Sequence, residues 1–163
     1  MDADFYLRFE NTYRGSREAI KERLKVYFPV TDPLLNIYPD SLALDLGCGR
    51  GEWLELLKEK GWNILGIDSN HAMILLCHEN NLNATKTDAL EYIKSCETES
   101  TALVTGFHII EHLKFTDQKD LVSEALRVLQ PGGLLILETP NPENIKVATE
   151  DFHLDPTHIH PVP

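Results

Sequence analysis

The sequence contains little cysteine, little positive charge and no long apolar run, and each shortage excludes a class of protein. Only three cysteines occur among 163 residues, and 26 acidic residues against 15 basic ones give a formal net charge of −11. Because such a surface repels a phosphate backbone, we predict that the protein does not bind nucleic acid. The cysteines are widely spaced and odd in number, which predicts no disulfide framework and a reducing, cytoplasmic location.

Signals for membrane insertion are also missing. The chain has no run of about 18 consecutive apolar residues, the length that a spanning helix needs. Its first residues, MDADFYLRFENTYRGSRE, are charged throughout and lack the apolar core of a signal peptide. We therefore expect neither a membrane span nor a signal peptide. The apolar fraction of 42% and the charged fraction of 25% are typical of one globular domain.

Short apolar runs alternate with helical patterns along most of the chain. Strands are predicted at 42–46, 63–68, 85–88, 102–107 and 134–139, and helices at 16–28, 52–60, 70–79 and 117–129. We also expect Pro29 to end the first helix, residues 31–40 to form a connector, and Pro131-Gly132-Gly133 to end the last helix. This alternation predicts a doubly wound parallel α/β sheet, with functional residues at the carboxyl ends of its strands.

A glycine-rich loop, Asp45-Leu46-Gly47-Cys48-Gly49-Arg50-Gly51, joins the first strand to the next helix. Glycines let backbone N–H groups approach a ligand closely. Asp68 ends the following strand, where a carboxylate can accept both hydroxyls of a ribose. The alternatives are a purely structural turn for the loop and a helix cap for Asp68.

The loop distinguishes between classes of nucleotide. In a dinucleotide site the pattern GxGxxG places a third glycine where this chain has Glu52. A carboxylate there repels a pyrophosphate, so the loop favours a ribose-bearing ligand without phosphates. An NAD-dependent oxidoreductase is the less favoured alternative.

Five segments in succession, LALDLGCGRGEWLELL, GIDSN, DALEYI, GFHIIEHL and LQPGGLLILETPNP, resemble the motifs of class I S-adenosylmethionine-dependent methyltransferases. The resemblance implies a Rossmann-like doubly wound sheet, S-adenosyl-L-methionine as cofactor and methyl transfer as the activity. The flanking segments FENTYRGSREAIKERLKVYFP and DFHLDPTHIHPVP resemble methyltransferase domains of bacterial surface-polysaccharide enzymes, including the O-antigen chain-terminating type.

For the methionine part of the cofactor, the resemblance implies contacts from the glycine loop and from the end of the fourth strand. These residues are Asp45, Gly47, Cys48, Gly49, Phe107 and His108. Arg14 is a further candidate, because an arginine fork suits the cofactor's carboxylate and Ser16 begins a helix whose N-terminus favours anions. A solvated Arg14 is the alternative.

For the nucleoside part, the resemblance implies contacts from the ends of the second and third strands. Asp68 would bind the ribose hydroxyls, with Ser69 beside the adenine. Asp88 would accept a hydrogen bond from the adenine amino group, next to a wall formed by Ala89 and Leu90. Each acidic residue has an alternative role as a helix cap or a solvated charge.

Three residues just after the fourth strand are candidates for catalysis. His108, Glu111 and His112 have a spacing that lets them share one face of a helical turn. Methyl transfer from a sulfonium releases a neutral thioether and needs no acid, so positioning is the main requirement and can supply about 7–11 kcal/mol. A histidine could act as general base for a protonated acceptor, whereas an ionised acceptor needs none. The alternative is that the segment only anchors its loop.

The tail contains three histidines and an aspartate that suggest a metal site: His153, Asp155, His158 and His160. The prolines on either side predict an extended segment, and no second cluster completes a ligand set. We therefore predict no metal and interpret the tail, with Arg17, as a source of donors for an anionic acceptor.

These patterns divide the chain into three parts: an N-terminal helical segment (1–39), a cofactor-binding core (40–142) and a C-terminal tail on the acceptor side (143–163). The family core has seven strands, and this chain provides five. We therefore expect an apolar edge at the fifth strand and self-association through it or through the tail. The functional hypothesis is O-methylation of a small-molecule or glycan acceptor, with phosphorylated acceptors included. A catalytically silent cofactor-binding module is the alternative.

Overall fold

The computed structural model describes residues 15–162, and in them five parallel strands form one sheet in the order β3-β2-β1-β4-β5. The strands are β1 (Leu42–Leu46), β2 (Asn63–Asp68), β3 (Ala84–Lys86), β4 (Thr101–Phe107) and β5 (Leu129–Glu138). All four pairings are parallel. The predicted α/β sheet is therefore confirmed.

Seven α-helices lie between and beside these strands in the described part of the chain. They are α1 (Arg17–Leu24), α2 (Phe28–Ile37), α3 (Glu52–Glu59), α4 (His71–Glu79), α5 (Ala89–Ser95), α6 (Phe115–Val128) and α7 (Phe152–Leu154). Two 3₁₀ turns, Lys25–Tyr27 and Ile110–His112, and a π-helical segment, Val147–Asp151, complete the secondary structure.

Successive residues of the central strands enter two different hydrophobic clusters. Leu103 of β4 packs with side chains of α1 to α4, whereas Val104 packs with side chains of α5 and α6. Every residue of β4 is buried, as a strand between two helical layers requires. The sheet is thus covered on both faces, and its carboxyl edge is left for a site.

The N-terminal region differs from the prediction. Ser16 caps α1 as expected, since its side chain accepts a hydrogen bond from the Ala19 N–H. Pro29 does not end the helical region, because it lies in the first turn of α2, where a residue needs no N–H partner. Most of the predicted connector 31–40 is therefore helical.

Two further differences concern the second half of the sheet. Helix α5 was not predicted, since its seven residues are too few for a clear apolar period. Helix α6 ends at Val128, and Pro131-Gly132-Gly133 lies within the bounds of β5 instead of ending the helix. Pairing moves from Leu129 to Leu134 on β5 while β4 advances by two residues, so the glycines lie in a bulge.

Strand β5 is an outer strand of the sheet within residues 15–162. Its residues 134–138 are half-buried, and self-association through this edge remains a prediction. Among the described residues, no helix has both the length and the apolar character that crossing a bilayer requires.

Two glycines flanking α3 provide a matched test of packing. Gly51 (φ +80°) precedes the helix, and a Cβ there would lie 2.6 Å from Leu82 Cδ1 and 2.9 Å from Cys77 Sγ. Gly61 (φ +95°) follows it, and a Cβ there meets no described atom within 4 Å. We expect Gly51→Ala to lower the free energy of unfolding by about 2–5 kcal/mol, from backbone strain and overpacking, and Gly61→Ala by about 1–2 kcal/mol, from strain alone. Urea unfolding followed by circular dichroism measures both, and equal losses would contradict the packing argument.

Candidate functional site

A pocket opens at the carboxyl ends of β1 and β4, beside α1 and the start of α3. It brings together side chains that are far apart in the sequence. Its lining residues are Ile20, Arg23, Leu24, Asp45, Gly47, Cys48, Glu52, Trp53, Phe107, His108 and Glu138. Five of the residues predicted for the methionine end of the cofactor thus share one pocket: Asp45, Gly47, Cys48, Phe107 and His108.

The glycine loop is held against the end of β2. The N–H groups of Gly47 and Cys48 both donate to the carbonyl oxygen of Ile67, at 2.8 and 3.0 Å. Gly47 has a φ of +70°, and a Cβ there would lie 3.1 Å from the side chain of Ile109. Only glycine meets both conditions without strain.

Two buried polar residues fix the end of β1. Asp45 is 2% exposed, and its Oδ1 accepts a hydrogen bond of 2.7 Å from the Thr105 hydroxyl on β4. The same hydroxyl lies 3.2 Å from the carbonyl oxygen of Leu44. This contact joins the two central strands at the floor of the pocket.

Asp68 faces the glycine loop. Its Oδ2 accepts from the Gly49 N–H at 2.9 Å, and its Oδ1 accepts from the Asn70 N–H at 2.7 Å. Asn70 caps α4 by accepting from the Ala72 N–H, so capping this helix does not require Asp68. Ser69 is exposed between them. The carboxylate therefore lies at the mouth of the sheet, where its ribose role was predicted, and that role remains a prediction.

Asp88 performs the alternative role considered for it. Its Oδ1 accepts from the N–H groups of Leu90 and Glu91, at 2.9 and 3.0 Å, and so caps α5. Ala89 and Leu90 pack partly buried against the cluster that contains Ile93. Contact of these residues with adenine remains a prediction.

An aromatic wall borders the pocket. The rings of Phe107 and Trp53 lie 5.4 Å apart, and the Tyr27 ring lies 5.4 Å from Phe107 and 6.2 Å from Trp53. The faces of such rings attract a cation. Tyr27 belongs to the 3₁₀ turn after α1, which the sequence did not mark as part of a site.

His108 lies between two carboxylates. Its Nδ1 is 3.2 Å from Glu111 Oε1, and its Nε2 is 3.4 Å from Glu138 Oε1. The Tyr27 hydroxyl donates to Glu138 Oε2. The backbone of His108 has a φ of +59°, which is rare for a residue with a Cβ, and its N–H donates to the Glu138 carbonyl oxygen at 2.8 Å. The main chain thus holds this ring in place at the end of β4.

The charges around His108 shift the pKa of its neighbours. The hydrogen bond from His108, together with that from Tyr27, lowers the pKa of Glu138 to about 2. Burial, and then the nearby Glu138, raises the pKa of Tyr27 to about 12. Burial is the largest influence on Glu111 and opposes its ionisation, but the hydrogen bond from His108, a backbone hydrogen bond and the charges of His108 and His112 together lower the pKa of Glu111. The two acids beside His108 therefore favour their ionised forms.

The three candidate catalytic residues are close together but have different surroundings. His108 lines the pocket, while Glu111 is fully buried. His112 turns toward the tail, where its Nδ1 lies 2.8 Å from the Thr157 hydroxyl and its ring 4.7 Å from that of His158. Burial lowers the pKa of His112.

The arginines near the pocket differ from the prediction. Arg14 lies outside the described residues. Arg17 bonds the carbonyl oxygen of Arg50 and the carboxylate of Glu55, so it fastens α1 to α3 instead of facing an acceptor. Arg23, which was not predicted, lines the pocket, but nothing in its exposed helical position marked it in the sequence.

Two of the acidic residues around the pocket were only partly anticipated. Glu52 pairs with Arg50 at 2.8 Å, and this pair offsets the charge that was expected to repel a pyrophosphate. Glu138 contacts His108; its position at the end of the fifth strand placed it among the residues expected to carry function, but no role was predicted for it.

Known proteins share both this sequence pattern and this fold. The methyltransferase domain family matches residues 19–162. A crystal structure of an S-adenosylmethionine-dependent methyltransferase from Archaeoglobus fulgidus superposes with a TM-score of 0.87 at 38% identity, over 97% of this chain and 68% of that one.

Curated relatives are more distant and longer. A carboxy-S-adenosyl-L-methionine synthase from Shewanella woodyi is 30% identical over 131 residues, which are 73% of this chain and 54% of that enzyme. A ubiquinone biosynthesis O-methyltransferase from Hahella chejuensis is 28% identical over 108 residues, 63% of this chain and 44% of the enzyme. The chain thus spans about half the length of these relatives. From the family match and the Archaeoglobus structure, it belongs to the S-adenosylmethionine-dependent methyltransferases.

Proposed function

We propose that this chain binds S-adenosyl-L-methionine in the pocket above β1 and β4 and directs its methyl group to an oxygen of a small-molecule or glycan acceptor. The observation that carries the proposal is the pocket itself, with the glycine loop on one side and His108, between two carboxylates, on the other. Family membership rejects the NAD-dependent alternative.

For the nucleoside part of the cofactor, the support comes from hydrogen-bonding groups at the ends of β2 and β3, beside the pocket. Gly47 lets the loop pack tightly on Ile109, whose side chain a Cβ would approach to 3.1 Å, and so keeps the loop in this conformation beside the pocket. Asp68 is held by the Gly49 and Asn70 N–H groups at the mouth of the sheet, and a carboxylate in that place suits ribose hydroxyls. We assign Asp68 to the ribose and keep Asp88 as the partner of the adenine amino group.

Aromatic and charged side chains in the pocket complement the charged groups at the methionine end of the cofactor. Trp53 and Phe107 line the pocket, and aromatic rings attract a cation such as a sulfonium. Arg23 is a cation in the pocket lining and suits an α-carboxylate, the role expected for Arg14. Asp45 lines the same pocket and offers a carboxylate toward an ammonium group.

When bound, the cofactor supplies an electrophilic methyl group and a neutral thioether as leaving group. The residues of this chain align the acceptor and, for a hydroxyl, accept its proton. In the neutral ring we assign the N–H to Nδ1, which makes the shorter contact, 3.2 Å to Glu111, and proton uptake to Nε2; the hydrogen bond from Nε2 to Glu138 then belongs to the protonated ring. The imidazolium formed would be stabilised by Glu111 on one side and Glu138 on the other.

The choice of oxygen as the acceptor atom rests on this base and on the name of one relative. A hydroxyl must lose a proton during transfer, and His108 is positioned to take it. The Hahella relative is named as an O-methyltransferase. The glycan acceptor rests on the flanking segments FENTYRGSREAIKERLKVYFP and DFHLDPTHIHPVP.

A reducing, cytoplasmic location is part of the proposal. The buried thiols of Cys48 and Cys77 lie under the glycine loop, where Cys77 Sγ is 3.4 Å from the Gly49 carbonyl oxygen. The hydrogen bond with Cys77 and burial raise the pKa of Cys48. Both are free, as in proteins kept reduced.

The assignment of Asp68 to the ribose is tested by comparing the affinities of the wild type and a variant for two ligands. We expect Asp68→Asn to weaken S-adenosylhomocysteine binding by about 1–3 kcal/mol, the cost of lost hydrogen bonds in a buried site, by calorimetry. The variant should lose much less affinity for an analogue without ribose hydroxyls. Asp120→Asn removes a carboxylate from the exposed ion pair between Lys94 and Asp120, and it is the control for the loss of one negative charge. Equal losses for both ligands would mean that Asp68 acts only through the shape of the loop.

The charge state of Glu138 is tested by stability against pH. A pKa of about 2, below the ordinary value of about 4.3, means that ionised Glu138 stabilises the fold above that ordinary value and loses this effect as pH falls toward 2. We expect Glu138→Gln to be less stable than the wild type at neutral pH, and the difference in urea midpoint to shrink below about pH 4.5. Exposed Glu97→Gln is the control. A difference that stays constant down to about pH 3 would refute the pairing.

Activity is tested with a panel of hydroxylated small molecules, glycans and phosphoglycans, using cofactor with an isotopically labelled methyl group. We expect label to transfer to an acceptor oxygen, and His108→Gln to reduce turnover by about 10²–10⁴-fold, the usual loss for a general base. S-adenosylhomocysteine affinity is the control for an intact pocket. Binding without transfer to any acceptor would favour the silent module instead.

A further inference from the structure

We infer that Glu111, His112 and His158 form a binding site for a divalent transition-metal ion where the C-terminal tail meets the 3₁₀ turn after β4. One ligand atom from each residue lies within 4.8 Å of the other two. The site joins the turn Ile110–His112 to His158, which lies 46 residues after His112 in the chain. It lies beyond the proposed methyl transfer and does not depend on it.

The hydrogen bonds of His158 leave a lone pair facing the cluster. Its Nδ1 lies 2.6 Å from the Phe152 carbonyl oxygen, which can only accept, so this nitrogen carries the proton. In the neutral ring Nε2 is then unprotonated. Nε2 lies 3.9 Å from Glu111 Oε1 and 3.9 Å from Asp155 Oδ2, so a lone pair faces two carboxylates.

His112 is fixed in the same tautomer. The Thr157 hydroxyl donates its single hydrogen to Asp155 Oδ1 and therefore accepts from His112 Nδ1. The lone pair of the neutral His112 ring is then on Nε2. Both histidines thus have the outer hydrogen bond that orients and polarises a metal-binding imidazole.

Glu111 supplies the charge. It is fully buried, and its Oε2 has no hydrogen-bond partner within the part of the chain that the structure describes. Leaving a buried carboxylate oxygen without a partner is costly. A cation held by this carboxylate and the two rings would offset the cost of burying its negative charge.

The donor set identifies the class of ion. Two imidazoles and one carboxylate form the ligand sets of catalytic zinc and of non-haem Fe(II), whereas magnesium and calcium prefer oxygen ligands alone. Ligands about 2.1 Å from a tetrahedral zinc lie about 3.4 Å apart. The three side chains therefore need to approach by about 1 Å, which small side-chain rotations supply.

The main chain already holds the two halves of the site together. The N–H of Ile159 donates to the Glu111 carbonyl oxygen at 2.8 Å. His153 and His160, the other tail histidines, are exposed and outside the cluster. The sequence alone suggests the tail histidines as metal ligands. It does not connect them with Glu111 and His112, because these residues come close to the tail only in the folded protein.

Cobalt(II) is the probe, because its visible absorption reports the ligand geometry directly. Tag-free protein treated with a chelator is titrated with CoCl₂, without cofactor or acceptor. We expect one equivalent of Co²⁺ to bind and to give the intense visible absorption bands of a cobalt ion with few ligands. Zinc should then displace the cobalt. His158→Gln and His112→Gln should each weaken Co²⁺ binding at least about tenfold. Exposed His153→Gln and His160→Gln are matched controls that should bind as the wild type does.

Three results would overturn the inference: no saturable Co²⁺ spectrum in the wild type, unchanged binding in His158→Gln, or a loss in the control variants equal to that in His158→Gln. The first would mean that a protonated His158 satisfies Glu111 instead. Circular dichroism of each metal-free variant shows whether it folds. If His158→Gln or His112→Gln does not fold, the Co²⁺ affinity of the other variant decides the test. Because the readout needs no methyl transfer, failure of the proposed function would leave this result intact.

Discussion

Parallel pairing of β1 with β2 on one side and β4 on the other is the constraint on which the whole site depends. Because all three strands run in the same direction, their carboxyl ends meet at one edge of the sheet. Asp45, Asp68 and His108 reach that edge from three separate parts of the chain. The hydrogen bond from the Gly49 N–H to Asp68 then closes the edge by joining the loop after β1 to the end of β2. Without the common strand direction these side chains would not meet at one edge of the sheet.

How far the sequence predicts the fold depends on how completely each element is buried. Strands β1 and β2 have the predicted bounds, because a run that is buried between two layers must be apolar along nearly its whole length. Helix α5 escaped prediction because it buries only Ile93, which is too little for a period to show. Pro29 was misleading for another reason: proline ends one helix and begins another equally well, and only packing against the core decides between them.

Some residues of the site could likewise be predicted from the sequence, and others could not. Residues at strand ends could be predicted because topology alone places them, and Glu138 belongs to this class although its role was missed. Tyr27 and Arg23 could not, because each reaches the edge through the packing of a helical segment that the strand pattern does not determine. Glu52 illustrates the limit of reasoning from one charge. Its repulsion of phosphates was inferred without its partner Arg50, which lies 2.8 Å away and offsets it.

Glu111 connects the pocket to the tail, and this has a consequence for both proposals. The same Oε1 lies 3.2 Å from His108 and 3.9 Å from His158, so a positive charge on either side draws on one carboxylate. A metal ion held by His112 and His158 would share the negative charge of Glu111 and leave less of it for an imidazolium at His108. Glu138, ionised and bonded to Tyr27, would remain as the undivided counter-charge. The imidazolium of His108 would then be stabilised mainly by Glu138, on the β5 side of the pocket. Occupation of the metal site should therefore make proton uptake by His108 less favourable. Cofactor affinity, which depends on Asp68 and the glycine loop, should not change.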